Sequence, residues 1–356
     1  MAAPDTGRAS AAPAPRAGTT LSVVVPVYNE EAVLPEFHRR LAAALDAVPG
    51  AAEIIYVNDG SRDGSMALLA EFHRTDARVA VIDLSRNFGK EVAMTAGLDH
   101  AGGDAVVVID ADLQDPPETI PEMVRAWAEG YDVVLMRRRT RAQESWLKKA
   151  TARAFYRAMG RIGTIDIPEN VGDFRLLSAR AVAALRRFPE RSRFMKGLFA
   201  WIGFPCKEIE YDRDGRYAGE TKWNYWRLWN FALEGITSFS VVPLKIASYM
   251  GFLAALVAFA RGAYFIAKTL IYGDPVAGFP TLVVVVLFLG GLQLMALGVI
   301  GEYLARMFIE VKQRPLYLVQ QSLPPAQPLA TRGTDPAGIL PAANAPVAAA
   351  GRWPSH

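Results

Sequence analysis

Cysteine is almost missing from this sequence. Cys206 is the single one in 356 residues, which excludes an intrachain disulfide and a Cys-cluster metal site. It reads as a small filler beside a strand. Histidine is scarce as well: His38, His73, His100 and His356 are the full set. No two stand at ligand spacing, and all four read as surface or helix-end residues without a catalytic role. Formal net charge is only +3, so no global basic field points to nucleic acid as a partner. Glycine-rich phosphate loops are also lacking. The turn after the first apolar run is Pro26-Val-Tyr-Asn-Glu30, and Gly89-Lys90 is followed by Glu91 with no upstream glycine. Dinucleotide oxidoreductases and P-loop nucleotidases are thereby disfavoured. There is no internal repeat. The first twenty residues lack the apolar segment of a secretory signal, so the domain after them is expected in the cytosol.

What the chain has in quantity is apolar residues, 51% of the total, unevenly spread. Residues 1–20 and the tail from about Leu323 to His356 are rich in Ala and Pro with no apolar period. Such segments bury too little surface to offset chain entropy and are expected to be disordered. From Leu21 onward, short apolar runs alternate with helix-period segments. Strands are expected at Leu21–Val27, Glu53–Asn58, Val79–Leu84, Ala105–Asp110 and Asp132–Leu135, and helices near Glu31–Ala47, Ser65–Arg74, Lys90–His100 and Glu118–Glu129. Continuous apolar strands separated by helices predict an α/β domain with a mostly parallel sheet covered on both faces. Ligands of such sheets collect at the carboxyl ends of the strands. Four polar loops fall there: Tyr28-Asn29-Glu30, Asn58-Asp59-Gly60-Ser61, Ser85-Arg86-Asn87, and Asp110-Ala111-Asp112-Leu113-Gln114-Asp115.

A mixed region over residues 140–220 contains Gly172-Asp173-Phe174-Arg175 and a strand-like Lys207–Asp212. Residues 223–241 are aromatic-rich, with Trp226, Trp229, Phe231 and Phe239. They suit an amphipathic helix at the headgroup level, with packing on the catalytic domain as the competing reading. Two long apolar segments follow, Val241–Ile271 and Phe279–Ile309, broken by a short connector at Tyr272-Gly-Asp-Pro275. Each contains the roughly 20 apolar residues needed to cross about 30 Å of hydrocarbon. A transmembrane hairpin over 242–309 is expected, with spans near 245–268 and 280–305. Arg261 at mid-bilayer would cost about 2.5–3.5 kcal/mol, but it lies about 27 Å along a helix counted from Pro243, near the far interface. Cationic residues crowd both outer flanks, at Arg213, Arg216, Lys222, Arg227, Arg306, Lys312 and Arg314. The positive-inside rule therefore assigns the flanks, and the domain, to the cytosol.

The chemistry-bearing residues begin with Asp110 and Asp112. An Asp-x-Asp at the end of an apolar strand can supply the oxygen ligands that Mg²⁺ or Mn²⁺ takes beside phosphates, although acidic loops are also often just solvated. Asp59 can accept hydrogen bonds from a base or ribose, or belong to an ordinary Asp-Gly turn. Among Arg137, Arg138, Arg139 and Arg141, one phosphate ligand is expected, since arginine suits bidentate phosphate binding.

Taken together, Val25-Pro-Val-Tyr-Asn-Glu30, Asn58-Asp-Gly-Ser61, Ser85-Arg-Asn-Phe-Gly-Lys90, Asp110-Ala-Asp-Leu-Gln-Asp-Pro-Pro117, Gly172-Asp-Phe-Arg175 and Arg216-Tyr-Ala-Gly-Glu-Thr-Lys222 resemble the inverting GT-A glycosyltransferases of the dolichol-phosphate mannose synthase type. The nearest branch is the bacterial undecaprenyl-phosphate (bactoprenol) glucosyltransferases, and the resemblance runs from about Leu21 to Leu318. It implies a GT-A, Rossmann-like catalytic domain over 21–222 and a metal-dependent transfer of a hexose, glucose by branch, from UDP-glucose or a similar nucleotide-sugar to undecaprenyl phosphate. It further implies that Pro26, Tyr28, Glu30 and Asp59 hold the nucleotide, and that Asp110 and Ala111 line the nucleotide-sugar. Asp112 and Gln114 would be metal ligands, and Arg138, Arg216 and Lys222 would meet the phosphates. Asp173 matches the acidic residue proposed for catalysis, beside Asp112. The family's small residues before the fifth-strand arginine are Leu135-Met136-Arg137 here, which leaves open which arginine binds phosphate. The branch implies a multi-pass protein of the bacterial inner membrane, in contact with the lipid bilayer, and the hairpin offers a surface for a homo-oligomer.

The acceptor phosphate is already anionic near neutral pH, so it needs little help from a base. Asp173 is expected to orient basic groups or a sugar hydroxyl rather than to take a proton. A processive polysaccharide synthase usually carries Gln-x-x-Arg-Trp and more spans, whereas Arg352-Trp353 here has no Gln three residues ahead. A non-catalytic scaffold that binds nucleotide-sugars is the reading from another class, and the intact Asp110, Asp112 and Gln114 set argues against it.

Overall fold

The structure is a computed structural model; it describes residues 19–139, 171–212 apart from 189, 192 and 194, then 242–272, 279–327 and 329. The expected disorder of residues 1–18 and of the tail beyond 329, the aromatic helix at 223–241 and the tight connector at 273–278 all lie outside the described residues.

Five strands come first, each built around an apolar run: β1 Thr20–Val27, β2 Ala51–Asn58, β3 Val79–Leu84, β4 Ala105–Val108 and β5 Val133–Arg138. Between them lie α1 Leu34–Asp46, α2 Ser65–Thr75, α3 Lys90–His100 and α4 Ile120–Ala128, the last preceded by a 3-10 turn at Pro117–Thr119. Then follow β6 Val171–Ser178, α5 Ala179–Arg186, α6 Met195–Trp201 and β7 Cys206–Tyr211. Two long helices, α7 Val242–Tyr272 and α8 Phe279–Lys312, precede a last strand, β8 Val319–Leu323.

One sheet carries all eight strands in the order β7-β5-β6-β4-β1-β2-β3-β8. β1 pairs in parallel with β2 and β4, and β2 with β3, as expected for βαβ units. β5 does not lie next to β4. β6 inserts antiparallel between β4 and β5, pairing Val108 with Arg175 on one side and Val134 with Leu176 on the other. β8 caps the opposite edge antiparallel to β3.

Alternation along the strands feeds two cores. On one face Val23, Val25, Tyr56, Val107 and Phe174 pack beneath α1, α2 and α4; on the other Val24, Val57, Val106 and Leu177 meet α3, α5 and α6. α3 is buried on nearly all sides, from Ala93 to Leu98, which suits its small residues. At Gly97 an added Cβ would stand 2.2 Å from Val24 Cγ1 and 3.2 Å from Val57 Cγ2, so glycine sets how close this helix lies to the sheet. That approach sets where the first residue of the helix, Lys90, sits at the carboxyl edge.

Two expectations need correction. His38 is neither on the surface nor at a helix end: it stacks on Phe72 at 4.2 Å and its Nδ1 meets the Tyr56 hydroxyl at 3.0 Å, because α1 lays its apolar face here. Cys206 is exposed rather than filling a gap, since it opens β7 at the sheet's outer edge. A strand not foreseen in the sequence, at 319–323, pairs with β3 just ahead of the tail expected to lose order from about residue 323, and the Gln327 N–H still donates to Ala77 O at 3.1 Å. Of the two expected spans, the described residues contain one helix that is long and apolar enough to cross a membrane, Phe288–Lys312, while Ile246–Arg261 is a shorter apolar stretch.

Candidate active site

The polar loops foreseen at the carboxyl edge are tied to one another in series. After β1, the Asn29 N–H donates to Ser61 Oγ at 3.0 Å and the Glu30 N–H to Ser65 Oγ at 3.0 Å, while the Arg62 N–H donates to Asn29 Oδ1 at 2.8 Å. These bonds lock the β1–α1 loop onto the β2–α2 loop. Asp59 continues the series. Its buried carboxylate accepts the N–H groups of Phe88 at 2.7 Å and Gly89 at 2.9 Å, which fixes the β3–α3 loop. Burial pushes the Asp59 pKa up and the two N–H groups partly offset it. Its side chain therefore shapes the site through the backbone beside it. Pro26 is partly buried at the end of β1, and Tyr28 stands exposed just past it.

Lys90 makes the next tie. Its ammonium donates to Asp110 Oδ2 at 2.7 Å and to Asp173 Oδ2 at 2.5 Å. The two carboxylates lie far apart in sequence, and antiparallel β6 makes them neighbours: the Val108–Arg175 pair puts the start of β6 beside the end of β4. Burial works against the charge on Lys90, but Asp110 and Asp173 outweigh it and hold its pKa above the ordinary lysine value. Burial likewise opposes ionisation of Asp173, and there the charges of Lys90 and Lys196 win, holding the carboxyl below its usual range. At Asp110 burial wins instead, with Lys90 opposing it and Asp173 reinforcing it, and the pKa rises. Asp173 Oδ1 is buried and has no hydrogen-bond partner among the described residues.

Behind Asp173 lies a second layer of charge. Burial, helped by Asp173, pushes Glu91 up to about 7, and burial pulls Lys196 down. Arg175 is buried, donates to Gly172 O at 2.6 Å and covers the Phe199 ring at 3.8 Å; burial pushes it down to about 10.

The fifth-strand arginines separate by strand alternation. Arg137 pairs with Glu208 at 2.9 Å and Arg139 with Asp212 at 3.1 Å, both exposed. Arg138 turns to the other face. Its Nε meets the Tyr211 hydroxyl at 3.4 Å, Tyr211 in turn donates to buried Asp115, and its guanidinium lies against Gly172. Burial opposes its charge, and Tyr211, Asp115 and Asp110 more than restore it. Arg141, Arg216 and Lys222 lie outside the described residues.

In the acidic loop, Ala111 and Leu113 are buried while Asp112 and Gln114 are partly exposed. Leu113 adopts φ 58, rare for a leucine, and the Gln114 N–H donates to Asp112 Oδ1 at 3.1 Å. The described residues hold no group of three or more His, Cys, Asp or Glu able to cage a metal ion by themselves. One carboxylate and one amide carbonyl fit a cation that keeps waters and takes its remaining ligands from a diphosphate.

Sequence reasoning missed the bridging role of Lys90, which entered as the end of the Ser85–Lys90 motif and as part of a failed P-loop, with no role assigned. A lysine opening a helix at the carboxyl edge was the available signal. It also missed Glu91, Lys196 and Tyr211, whose parts depend on the insertion of β6 and on α6, and these leave no local motif.

An α/β enzyme with acidic and basic side chains gathered at the carboxyl edge of its sheet is the class these features define. Residues 22–186 match the model of glycosyl transferase family 2, and residues 242–307 that of the GtrB C-terminal hairpin. An uncharacterised glycosyltransferase of Synechocystis is 52% identical over 299 residues, 84% of this chain and 94% of its own. The SfII prophage-derived bactoprenol glucosyl transferase of Shigella flexneri is 47% identical over 302 residues, 85% of this chain and 98% of its own. A prophage bactoprenol glucosyl transferase homologue of Escherichia coli is 46% identical over 301 residues, again 85% and 98%. Among solved structures, the Mycobacterium tuberculosis glucosyl-3-phosphoglycerate synthase with Mn²⁺, UDP and phosphoglyceric acid is 20% identical with a TM-score of 0.42, over 62% of this chain and 77% of that one. The chain belongs to glycosyl transferase family 2 and is a glycosyltransferase.

Proposed function

We propose that the protein transfers a hexose, glucose by likeness to its bactoprenol glucosyl transferase relatives, from a nucleotide-sugar such as UDP-glucose to undecaprenyl phosphate. The observation that carries this reading is the bridge of Lys90 between Asp110 and Asp173, with the unpartnered Oδ1 of Asp173 buried beside it. An acceptor phosphate oxygen attacks the anomeric carbon in line. The new C–O bond forms as the bond to the nucleoside diphosphate breaks, and the configuration inverts. The acceptor arrives ionised, so no base is needed. Asp173 keeps Lys90 charged and aimed, and its Oδ1 accepts a hydroxyl of the sugar or acceptor. Arg138, braced by Tyr211, meets the diphosphate together with Arg216 and Lys222. Asp110 and Ala111 line the sugar; Pro26, Tyr28, Glu30 and Asp59 frame the nucleotide. Asp112 and Gln114 would hold Mg²⁺ or Mn²⁺, which when bound neutralises charge on the leaving diphosphate.

The anchor we propose is a multi-pass one in a bacterial inner membrane with the catalytic domain cytosolic; its support is the match of residues 242–307 to the family's C-terminal hairpin and one helix, within α8, long and apolar enough to cross. The exposed apolar side chains of α7 and α8 suit lipid or a second copy of the chain. Purified full-length protein, undecaprenyl phosphate, Mg²⁺ or Mn²⁺ and a panel of nucleotide-sugars test the reading. Transfer of one sugar to the lipid is expected, and failure with every donor would sink it.

A further inference from the structure

A cavity of ≈ 370 Å³ opens beyond the ends of β2 and β3, lined by Asn58, Gly60, Ser61, Arg86, Asn87 and, from the far end of the chain, Gln320. The sheet order sets it to one side of the Lys90 bridge: the bridge sits at β4 and β6, the cavity at β2, β3 and β8, with β1 between. A nucleotide-sugar whose sugar end reaches Asp110 and Asp173 has its nucleoside end in this direction.

Two walls of the cavity, Asn58 and Gly60, are held by the fold itself. Asn58 Nδ2 donates to Asp83 Oδ1 at 2.7 Å, and Asn58 Oδ1 accepts the Ser61 N–H at 3.3 Å. Gly60 turns at φ 64 so close to the neighbouring loop that a Cβ would stand 2.5 Å from the Arg86 carbonyl carbon. Gln320 is different. β8 pairs Val81 with Leu323, Ile82 with Ser322 and Asp83 with Gln321, then slips so that Leu84 faces Val319. Gln320 is the extra residue of that bulge, and bulges re-aim side chains beside functional sites. Its position is held on both sides. The Ser85 N–H donates to Leu318 O at 2.9 Å, Tyr317 Oη donates to Asp99 Oδ2 at 3.0 Å, and Arg191 Nε donates to Arg314 O at 2.7 Å. Its amide, on an exposed residue at the cavity's rim, makes no hydrogen bond to the described residues and offers both a donor and an acceptor. A base or ribose edge matches that pair. A phosphate, being all acceptor, does not.

We infer that Gln320 is a nucleoside-contacting residue of the donor site, so that the strand following the last long helix supplies part of the specificity for the nucleotide. The inference rests on the proposed function. It is tested by calorimetric binding of UDP, CDP, GDP, ADP and inorganic diphosphate, each with Mg²⁺, to the full-length protein in detergent and to Gln320→Ala, with Gln321→Ala as the comparison and thermal melts to verify folding. Gln320→Ala is expected to weaken the preferred nucleoside diphosphate roughly three- to ten-fold, to narrow its lead over the others, and to leave inorganic diphosphate and the Gln321→Ala variant unchanged. Equal binding of the preferred nucleotide by Gln320→Ala, or an equal loss for inorganic diphosphate, overturns the inference alone. No binding of any nucleoside diphosphate by the unsubstituted protein overturns the donor reading as well.

Discussion

Replacing Asp173 with Asn keeps the shape of the side chain and removes its charge, which separates orientation from proton abstraction. The lost interaction is the 2.5 Å bond from Lys90, where the Asp173 side chain is 12% and the Lys90 side chain 42% exposed. Hydrogen bonds to charged groups contribute about 1.5–3 kcal/mol, and solvent around the lysine puts this one toward the lower figure. If that energy is realised in the transition state, turnover falls about ten- to a hundred-fold. The pH dependence carries the mechanistic content. Burial pushes the Asp173 pKa up, but Lys90 and Lys196 hold it below the ordinary carboxylate range, so the group is fully ionised and weakly basic from about pH 6 to about pH 9. The Asn variant should therefore lose the same factor at each pH in that window, measured as initial rates of lipid-linked product at saturating donor. A double variant with Lys90→Met should cost little more than the worse single change, because both remove one interaction. Near-complete loss at neutral pH that recovers as pH rises would mean hydroxide replaces a missing base, and the orienting role would be wrong.

Arg138→Ala should raise the donor concentration needed for half-maximal rate about ten-fold or more, since the arginine proposed to meet the diphosphate is lost, while Arg137→Ala and Arg139→Ala change it little; equal effects across the three would reject the assignment by strand face. Glu91 has its pKa raised to about 7 by burial and Asp173, so its contribution to stability is full below its unfolded value near 4.5 and is lost as pH rises through about 7. Glu91→Gln should accordingly be more stable than the unsubstituted protein at about pH 8, by at most about 3 kcal/mol, and equally stable at about pH 5; denaturant titrations that show the gap at the lower pH instead would have the wrong sign. Gly97→Ala should lose about 1–3 kcal/mol of stability, because its Cβ would stand 2.2 Å from Val24 Cγ1, and an unchanged denaturation midpoint would show that α3 can move away from the sheet at no cost.

The parts of the fold legible in the sequence are those written in local pattern. β1 to β5 are each built around an apolar run, and the turns after them carry Asn, Asp, Gly and Ser, so the sheet and its polar edge followed directly. The insertion of β6 did not. Val171-Gly-Asp-Phe-Arg-Leu-Leu-Ser178 has a glycine and two charges in eight residues, and its antiparallel place between β4 and β5 is decided by partners that only the folded sheet provides. The same limit hid Lys90, whose meaning comes from two carboxylates on different strands. For the arginines, period-two alternation was available, but which side faced the site depended on Tyr211 and Asp115, brought in by β7 and the acidic loop. β8 was hidden by composition, because Val319-Gln-Gln-Ser-Leu323 reads as the start of a polar tail until β3 offers it an edge.

That edge has a consequence for the order in which the chain can be made. β3 leaves the ribosome well before β8, with both long apolar helices between them. Until those helices have been delivered to their destination, β3 presents open N–H and C=O groups along Val81–Leu84, a template for pairing with any neighbouring chain. Final closure of the sheet therefore follows delivery of the helices. A copy halted at that step is a half-finished sheet with a sticky margin, and this is the species from which aggregates should grow when synthesis outpaces delivery of the two helices.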